Sequence, residues 1–401
     1  MTILPFRPWL PAPDQAQAVA CPPFDVPTRD EASTMAQGDR RNFLHVVRAE
    51  IDLPDEVDAH DAQVYDRARR NLTGLQEQGV LVREQQPELY LYRMEDGTHR
   101  QTGIVASLRA ADYRSGLIRT HERTRAAQED DRVRHMRALC AHPEPVLFTF
   151  RAPHGMRDLL DRSARGEPLL AATDGDGVRH LVWRAPDAAA LVAAFADVPH
   201  CYVADGHHRS TAAARVAAGG TSDYFPAVLF PAGELRILAY NRAVRGLGPQ
   251  RDEGELRRRL GEIGSLVSPA ESVPERAGSF AIRLRSGWHQ LDLGPATEER
   301  TGLVASLDAE RLHRAVLRPL LGVGDPRTDD RFIPVGGRDS VTRLERLVDS
   351  GEAAVGFSLV APTVEQMLAV ADARGVMPPK STWIEPKLRS GLFVHPFEGD
   401  E

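Results

Sequence analysis

The residues best equipped for chemistry lie in one run, Tyr202-Val203-Ala204-Asp205-Gly206-His207-His208-Arg209-Ser210-Thr211. A short apolar stretch ends in an acid and a glycine, then delivers two imidazoles and a guanidinium into the alanine-rich segment Ala212 to Ala218. Alanine is the strongest helix former, so the pattern predicts strand, tight turn and helix, with the polar residues at the helix N-terminus. Unpaired backbone N–H groups and the positive end of the helix dipole suit such a corner to an anion, phosphate above all. Arg209 would add a bidentate fork to phosphate oxygens. The plain alternative is a capped surface turn, since Asp and Gly favour turns anyway and an Asx turn accounts for Asp205.

A second cluster is His121-Glu122-Arg123-Thr124, in a polar loop that follows Gly116-Leu117-Ile118. A carboxylate here could take a proton from an attacking hydroxyl, worth about 10²–10⁴-fold when well placed. Glu122 reads equally as an exposed loop acid or as the first acid of the next helix. Zinc is disfavoured: His207 and His208 are adjacent, point to different sides and have no further ligand at a suitable spacing. Lys380-Ser381-Thr382 superficially matches the end of a phosphate-binding loop, but the glycines of that motif are missing and Pro378-Pro379 precede it. A lysine reaching a phosphate or a substrate carboxylate remains open there. Gly336-Gly337-Arg338 and Asp325-Pro326-Arg327 read as turns.

The elements that must position these groups can be traced by periodicity. Helices are expected over Thr28 to Gln37, Asp61 to Gln78, Asp130 to Ala141 and Asp187 to Phe195. Strands are expected at Phe43 to Val47, in the hairpin of Leu89 to Tyr92 with Thr102 to Leu108, and at Pro145 to Phe150. Ala227 to Phe230 and Arg236 to Tyr240 read as two more. Beyond a glycine- and charge-rich stretch at Gly246 to Gly254, helix and strand alternate. The hairpin Phe280 to Leu284 with Gln290 to Leu293 and a capping box at Thr363 and Gln366 lie in that region. The alternation predicts an α+β, mixed α/β, chain.

At 401 residues the chain exceeds one ordinary core, which predicts two domains. The expected division is 1–250, with its core at about 110–250, then 251–376, and a segment 377–401 that returns to the first domain. Hydrophobic content of 42% and charged content of 27% are those of a globular chain, and a net charge of −7 argues against nucleic acid and anionic membrane as partners. Cys21, Cys140 and Cys201 lack metal spacing and read as reduced thiols of a cytoplasmic protein, Cys201 as a core residue. No apolar run reaches the roughly 20 residues of a membrane span.

Five motifs occur in order: Cys21-Pro22-Pro23-Phe24-Asp25-Val26, Thr120-His121-Glu122-Arg123-Thr124, Asp131-Arg132, Ala204-Asp205-Gly206-His207-His208-Arg209 and Met377-Pro378-Pro379-Lys380-Ser381-Thr382. Together they resemble the bacterial and archaeal family called domain of unknown function 1015, over nearly the whole chain. From Leu117 to Val216 the chain also resembles the ParB/sulfiredoxin superfamily, in particular its ADP- or ATP-dependent free serine kinases. That resemblance implies a ParB/sulfiredoxin-like core beside a second α/β sandwich. It implies that the turn from Gly206 through His207, His208, Arg209, Ser210 and Thr211 holds nucleotide phosphates, that Glu122 is the base, and that Asp205 is catalytic or linked to Mg²⁺. His121, Thr124, Lys380 and Ser381 are then the candidates for holding the acceptor. Sulfiredoxins carry a cysteine where this chain has His207, so sulfinic acid reduction is not expected. No recognition helix of the DNA-partitioning relatives is evident.

The resulting expectation is a cytoplasmic phosphotransferase using ATP or ADP, or CTP, with Mg²⁺, on a small hydroxylated metabolite, free L-serine first. The sequence leaves room for a homodimer. A nucleotide-binding switch and a sensor of phosphorylated metabolites stand as alternatives.

Overall fold

The computed structural model describes residues 1–293 and 302–397. Residues 294–301 and 398–401, which fall within the expected second domain and returning segment, lie outside the described residues. The chain forms two compact units, Met1–Leu235 together with the chain from Pro386 onward, and Arg236–Glu385. The divisions therefore fall at 235/236 and 385/386, not at 250/251 and 376/377. Strand pairing sets them: Arg236–Leu238 pairs with Trp383–Glu385, and Asn241–Val244 pairs within the second unit's sheet. No helix among the described residues is long and apolar enough to cross a membrane.

The first unit is built on an eight-stranded mixed sheet. Its strands in chain order are β1 (Tyr90–Glu95), β2 (Arg100–Arg109), β3 (Ile118–Arg119), β4 (Val146–Phe150), β5 (Leu170–Thr173), β6 (Arg179–Arg184), β7 (Cys201–Asp205) and β8 (Tyr224–Pro231). Across the sheet they run β3-β7-β4-β8-β2-β1-β6-β5. Helices α1 (Arg29–Ala36), α2 (Ala62–Glu77), α3 (Ala126–Leu139), α4 (Ala188–Ala196) and α5 (His207–Ala218) accompany it. Phe148, Val203 and Leu229 of adjacent strands share one core with Leu191 and Phe195 of α4. Helix α5 explains its alanines by touching two neighbours: Ala213 and Ala217 enter that core, while Ala212 and Val216 meet Val133 and Met136 of α3. Side chains this small allow close approach on both faces, and each pair is spaced i, i+4.

Phe43 to Val47, expected as a strand, differs. Leu44–Val47 is a helical turn, opened by the Leu44 N–H donating to the Asn42 side chain at 3.0 Å. Its four residues are buried, and Leu44, Val46 and Val47 enter the core that Val64, Ala68, Leu72 and Leu75 of α2 line. Packing against α2 overrides the β-propensity of a short apolar run.

The second unit holds a six-stranded antiparallel sheet. Its strands are β9 (Asn241–Val244), β10 (Gly264–Val267), β11 (Ser279–Leu284), β12 (Gly287–Leu293), β13 (Phe332–Val335) and β14 (Val355–Ser358), ordered β10-β12-β11-β14-β9-β13. Helices α6 (Glu253–Ile263) and α7 (Asp308–Leu312) pack with Val244, and α8 (Ser340–Asp349) packs with Ala243. Adjacent residues of one strand face opposite sides, so helices cover both faces of the sheet. The expected capping box at Thr363 and Gln366 is present and opens α9 (Val364–Asp372).

Candidate functional site

Strand β3 pairs parallel with β7, Ile118 opposite Cys201 and Arg119 opposite Tyr202. Parallel neighbours end at the same edge of a sheet, so the loop His121 to Thr124 and the turn Asp205 to Arg209 leave side by side. Carboxyl ends of strands in α/β sheets commonly host ligand sites. Strand β7 carries an irregularity against β4 between Val203 and Asp205. Such a bulge re-aims the strand end, here Asp205.

Gly206 follows with φ +95°, a backbone that favours glycine, and caps α5 without a side-chain hydrogen bond to the helix. The His207, His208 and Arg209 N–H groups thus open a twelve-residue helix whose N-cap, a glycine, has no side chain to offer them.

The two histidines act on the neighbouring loop. The His121 N–H donates to His207 Nε2 at 3.5 Å, and the Arg125 N–H donates to His208 Nε2 at 3.2 Å. With Nε2 accepting, the ring proton of a neutral His207 sits on Nδ1, which faces Glu122 Oε2 at 3.6 Å. Burial, partly offset by Asp205, draws the His207 pKa down to about 3. The imidazole is therefore neutral near pH 7, so its approach to Glu122 is that of a dipole, not of an ion-pair partner. His121 is fully buried and packs edge-on against His207, ring centroids 4.5 Å apart. Burial and then His207 draw its pKa to about 3. Glu122 keeps a third of its side chain exposed, 33%.

Asp205 is gripped by two cations. Lys387 Nζ lies 3.1 Å from Oδ1 and Arg209 Nη2 3.2 Å from Oδ2. Burial alone would raise its pKa, but Lys387 and then Arg209 outweigh it and hold the carboxyl at about 2. Arg209 is buried, and its Nη1 donates to the Pro145 carbonyl at 2.7 Å. Its guanidinium thus lies behind Asp205, where a phosphate fork had been expected, because the α5 register aims residue i+4 back at the strand end. Magnesium at Asp205 was also expected, and these residues do not fit it. Both carboxylate oxygens already face cations, and the described residues contain no group of three or more His, Cys, Asp or Glu side chains able to hold a metal ion.

The remaining predicted residues fall as follows. Ser210 is buried, its hydroxyl donating to the His207 carbonyl at 2.9 Å. Thr211 shares a 2.8 Å hydrogen bond with the Tyr113 hydroxyl. The Thr124 hydroxyl donates to Glu129, itself 3.2 Å from Arg215 of α5. Lys380 and Ser381 belong to the second unit. There the Ser381 hydroxyl donates to the Pro378 carbonyl at 2.6 Å, and Lys380 Nζ lies 5.6 Å from the Tyr240 ring centre.

Sequence reasoning missed Glu144 and Lys387. Glu144 is buried and accepts the Phe24 N–H at 3.1 Å and the Ser390 hydroxyl at 2.5 Å. With Pro145 holding Arg209, the dipeptide Glu144-Pro145 ties the Cys21 to Val26 motif to the α5 turn. An acid set between Pro143 and Pro145, just before the strand, is the available signal for Glu144. Lys387, far along the chain, offered none.

Comparison with known proteins adds a family. A family model described as "Protein of unknown function (DUF1015)" matches residues 3–310. No curated protein matches the sequence. Among solved structures, a conserved hypothetical protein from Pyrococcus furiosus is similar at 14% identity and a TM-score of 0.37, covering 71% of this chain and 93% of that one. A free serine kinase in complex with AMP is similar at 15% identity and a TM-score of 0.37, covering 70% and 86%. SbnI with a C-terminal truncation, from Staphylococcus aureus, gives 11% and 0.41 over 74% and 90%. Scores this low carry no argument about activity.

Proposed function

The chain belongs to the DUF1015 family, and from that premise we propose that it is a nucleotide-dependent phosphotransferase acting on a small hydroxylated metabolite, free L-serine being the first candidate. One observation carries this reading: Glu122 lies 3.6 Å from His207 Nδ1, beside the glycine-capped N-terminus of α5. A carboxylate and an anion cradle on adjoining loops are the two parts that phosphoryl transfer to a hydroxyl needs.

In the proposed reaction the nucleotide's terminal phosphates lie against the His207, His208 and Arg209 N–H groups. Glu122 accepts the hydroxyl proton of the acceptor as its oxygen bonds to phosphorus. The bond from phosphorus to the bridging oxygen breaks, and the departing nucleotide keeps the electron pair. Asp205, fixed by Lys387 and Arg209, stays ionised and orients the acceptor. Catalysis comes from positioning and from the helix N-terminus facing the developing charge.

The mutual neutralisation of Asp205 and Arg209 favours a second reading, a nucleotide-binding switch or a sensor of phosphorylated metabolites. It leaves fewer cations for transition-state charge than a kinase usually commits. Phosphorus NMR of the full chain with ATP, ADP or CTP, with and without L-serine, separates the two. Phosphoserine formed by the wild type and not by Glu122→Gln is the expected result. Binding without any acceptor-dependent turnover selects the second reading.

A further inference from the structure

The second unit buries a guanidinium that has no carboxylate partner among the described residues. Arg242 of β9 is 3% exposed. Its Nη1 donates to the Tyr240 carbonyl at 2.9 Å, while Nη2 reaches the Pro379 and Lys380 carbonyls only at 3.4 and 3.3 Å. Among the described residues no Asp or Glu oxygen lies within ion-pair distance of it. Burial draws its pKa to about 10, with Tyr240 and Asp308 as the opposing influences, so it stays charged at neutral pH. Stripping a guanidinium of water with no carboxylate in contact costs several kcal/mol. Such an arrangement is sustained where something else supplies the negative oxygen.

Arg242 borders a cavity of about 220 Å³, which Glu310, His313, Asp325, Arg327, Pro378 and Pro379 also line. One ordered water needs only roughly 10–15 Å³, so the space is that of a small metabolite. His313 Nδ1 is buried without a hydrogen-bond partner. Arg327 Nε meets both Asp325 oxygens, at 3.1 and 3.2 Å, which cancels that carboxylate. Burial, partly offset by Glu310, lowers the His313 pKa, so its ring is neutral. Among the described residues, Arg242 and Glu310 are then the lining charges that make no ion pair, and they are of opposite sign. Two stretches that the proposed reaction does not use, Asp325 to Arg327 and Met377 to Thr382, supply the cavity's prolines. Their fixed φ angles give rigid walls.

We propose that the second unit carries a separate site for a small metabolite bearing a carboxylate or phosphate group, whose oxygens take the unsaturated donors of Arg242 and lie beside His313 Nδ1. The site is independent of the proposed reaction, and either can fail without the other.

Crystals of the full chain soaked in tungstate test this, read by anomalous scattering. A tungstate peak within hydrogen-bonding reach of Arg242 is expected in the wild type and absent from Arg242→Met crystals. Competing soaks identify the group. Displacement by inorganic phosphate alone assigns a phosphate ligand, and displacement by succinate alone a carboxylate; either supports the site. No peak at Arg242 overturns the proposal. A peak that neither competitor removes marks an adventitious ion only, and overturns it equally.

Discussion

Replacing Gly206 with alanine tests the geometry of the α5 cradle, and Gly38→Ala supplies its control. Both glycines have positive φ, +95° and +84°. Around Gly38 an added Cβ meets nothing within 4 Å. That substitution should therefore cost only the left-handed backbone penalty, about 1–2 kcal/mol. At Gly206 the same Cβ would sit 2.9 Å from Arg209 Nε and 3.0 Å from Cζ and Nη2. Arg209 cannot swing aside cheaply, because its guanidinium is held by Pro145 and Asp205 in a buried setting. Losing one such charged hydrogen bond adds about 1.5–3 kcal/mol. Gly206→Ala should thus destabilise the first unit by about 2.5–5 kcal/mol, more than Gly38→Ala, in paired urea melts. Nucleotide affinity should fall in Gly206→Ala and not in Gly38→Ala. Equal midpoint shifts for the two variants would refute the claim that Gly206 is required by the approach of Arg209.

Removal of Lys387 takes away the first counter-charge of Asp205. In Lys387→Met the Asp205 carboxyl should titrate well above its present value of about 2, followed by carbon NMR of labelled aspartate, and nucleotide affinity should drop about tenfold, the equivalent of one charge-assisted hydrogen bond. Acid should unfold the first unit before ordinary carboxylates titrate. Burial holds His121, His135, His142 and His207 at about 3 and His395 at about 4, against about 6.5 when unfolded. The unfolded chain binds protons first, so stability is full above pH 6.5 and is lost on the way down toward 3–4, each histidine contributing a slope of up to about 1.4 kcal/mol per pH unit. Urea midpoints should therefore be flat with respect to these groups from pH 7 to 8 and fall between pH 6.5 and 5; a flat profile through pH 5 would contradict it.

Much of the site's frame is legible in sequence because it is local. The run from Tyr202 to Ala218 names its own strand, turn and helix, and α2 follows from Val64, Ala68, Leu72 and Leu75. Side-chain direction is less local. Arg209 reads as a phosphate fork until the chain is folded, when its place one helical turn after Asp205 brings it back onto that carboxylate. The role of His207 and His208 depends on β3 lying parallel to β7, a pairing of two residues that no propensity reveals. Lys387 reaches Asp205 only because the chain returns after the second unit, and contacts at such separation carry no local signature. The short helical turn at Leu44–Val47 is set by its packing partners in α2, with Asn42 as its one local cue.

The proposed phosphotransfer requires an anion seated at the start of α5, within reach of Glu122. Amide resonances of His207, His208 and Arg209, followed in nitrogen-labelled protein during an ADP titration, measure it most directly. These three should shift first and saturate together, accompanied by the Glu122 amide. Saturation of nucleotide binding with those four amides unmoved would contradict it.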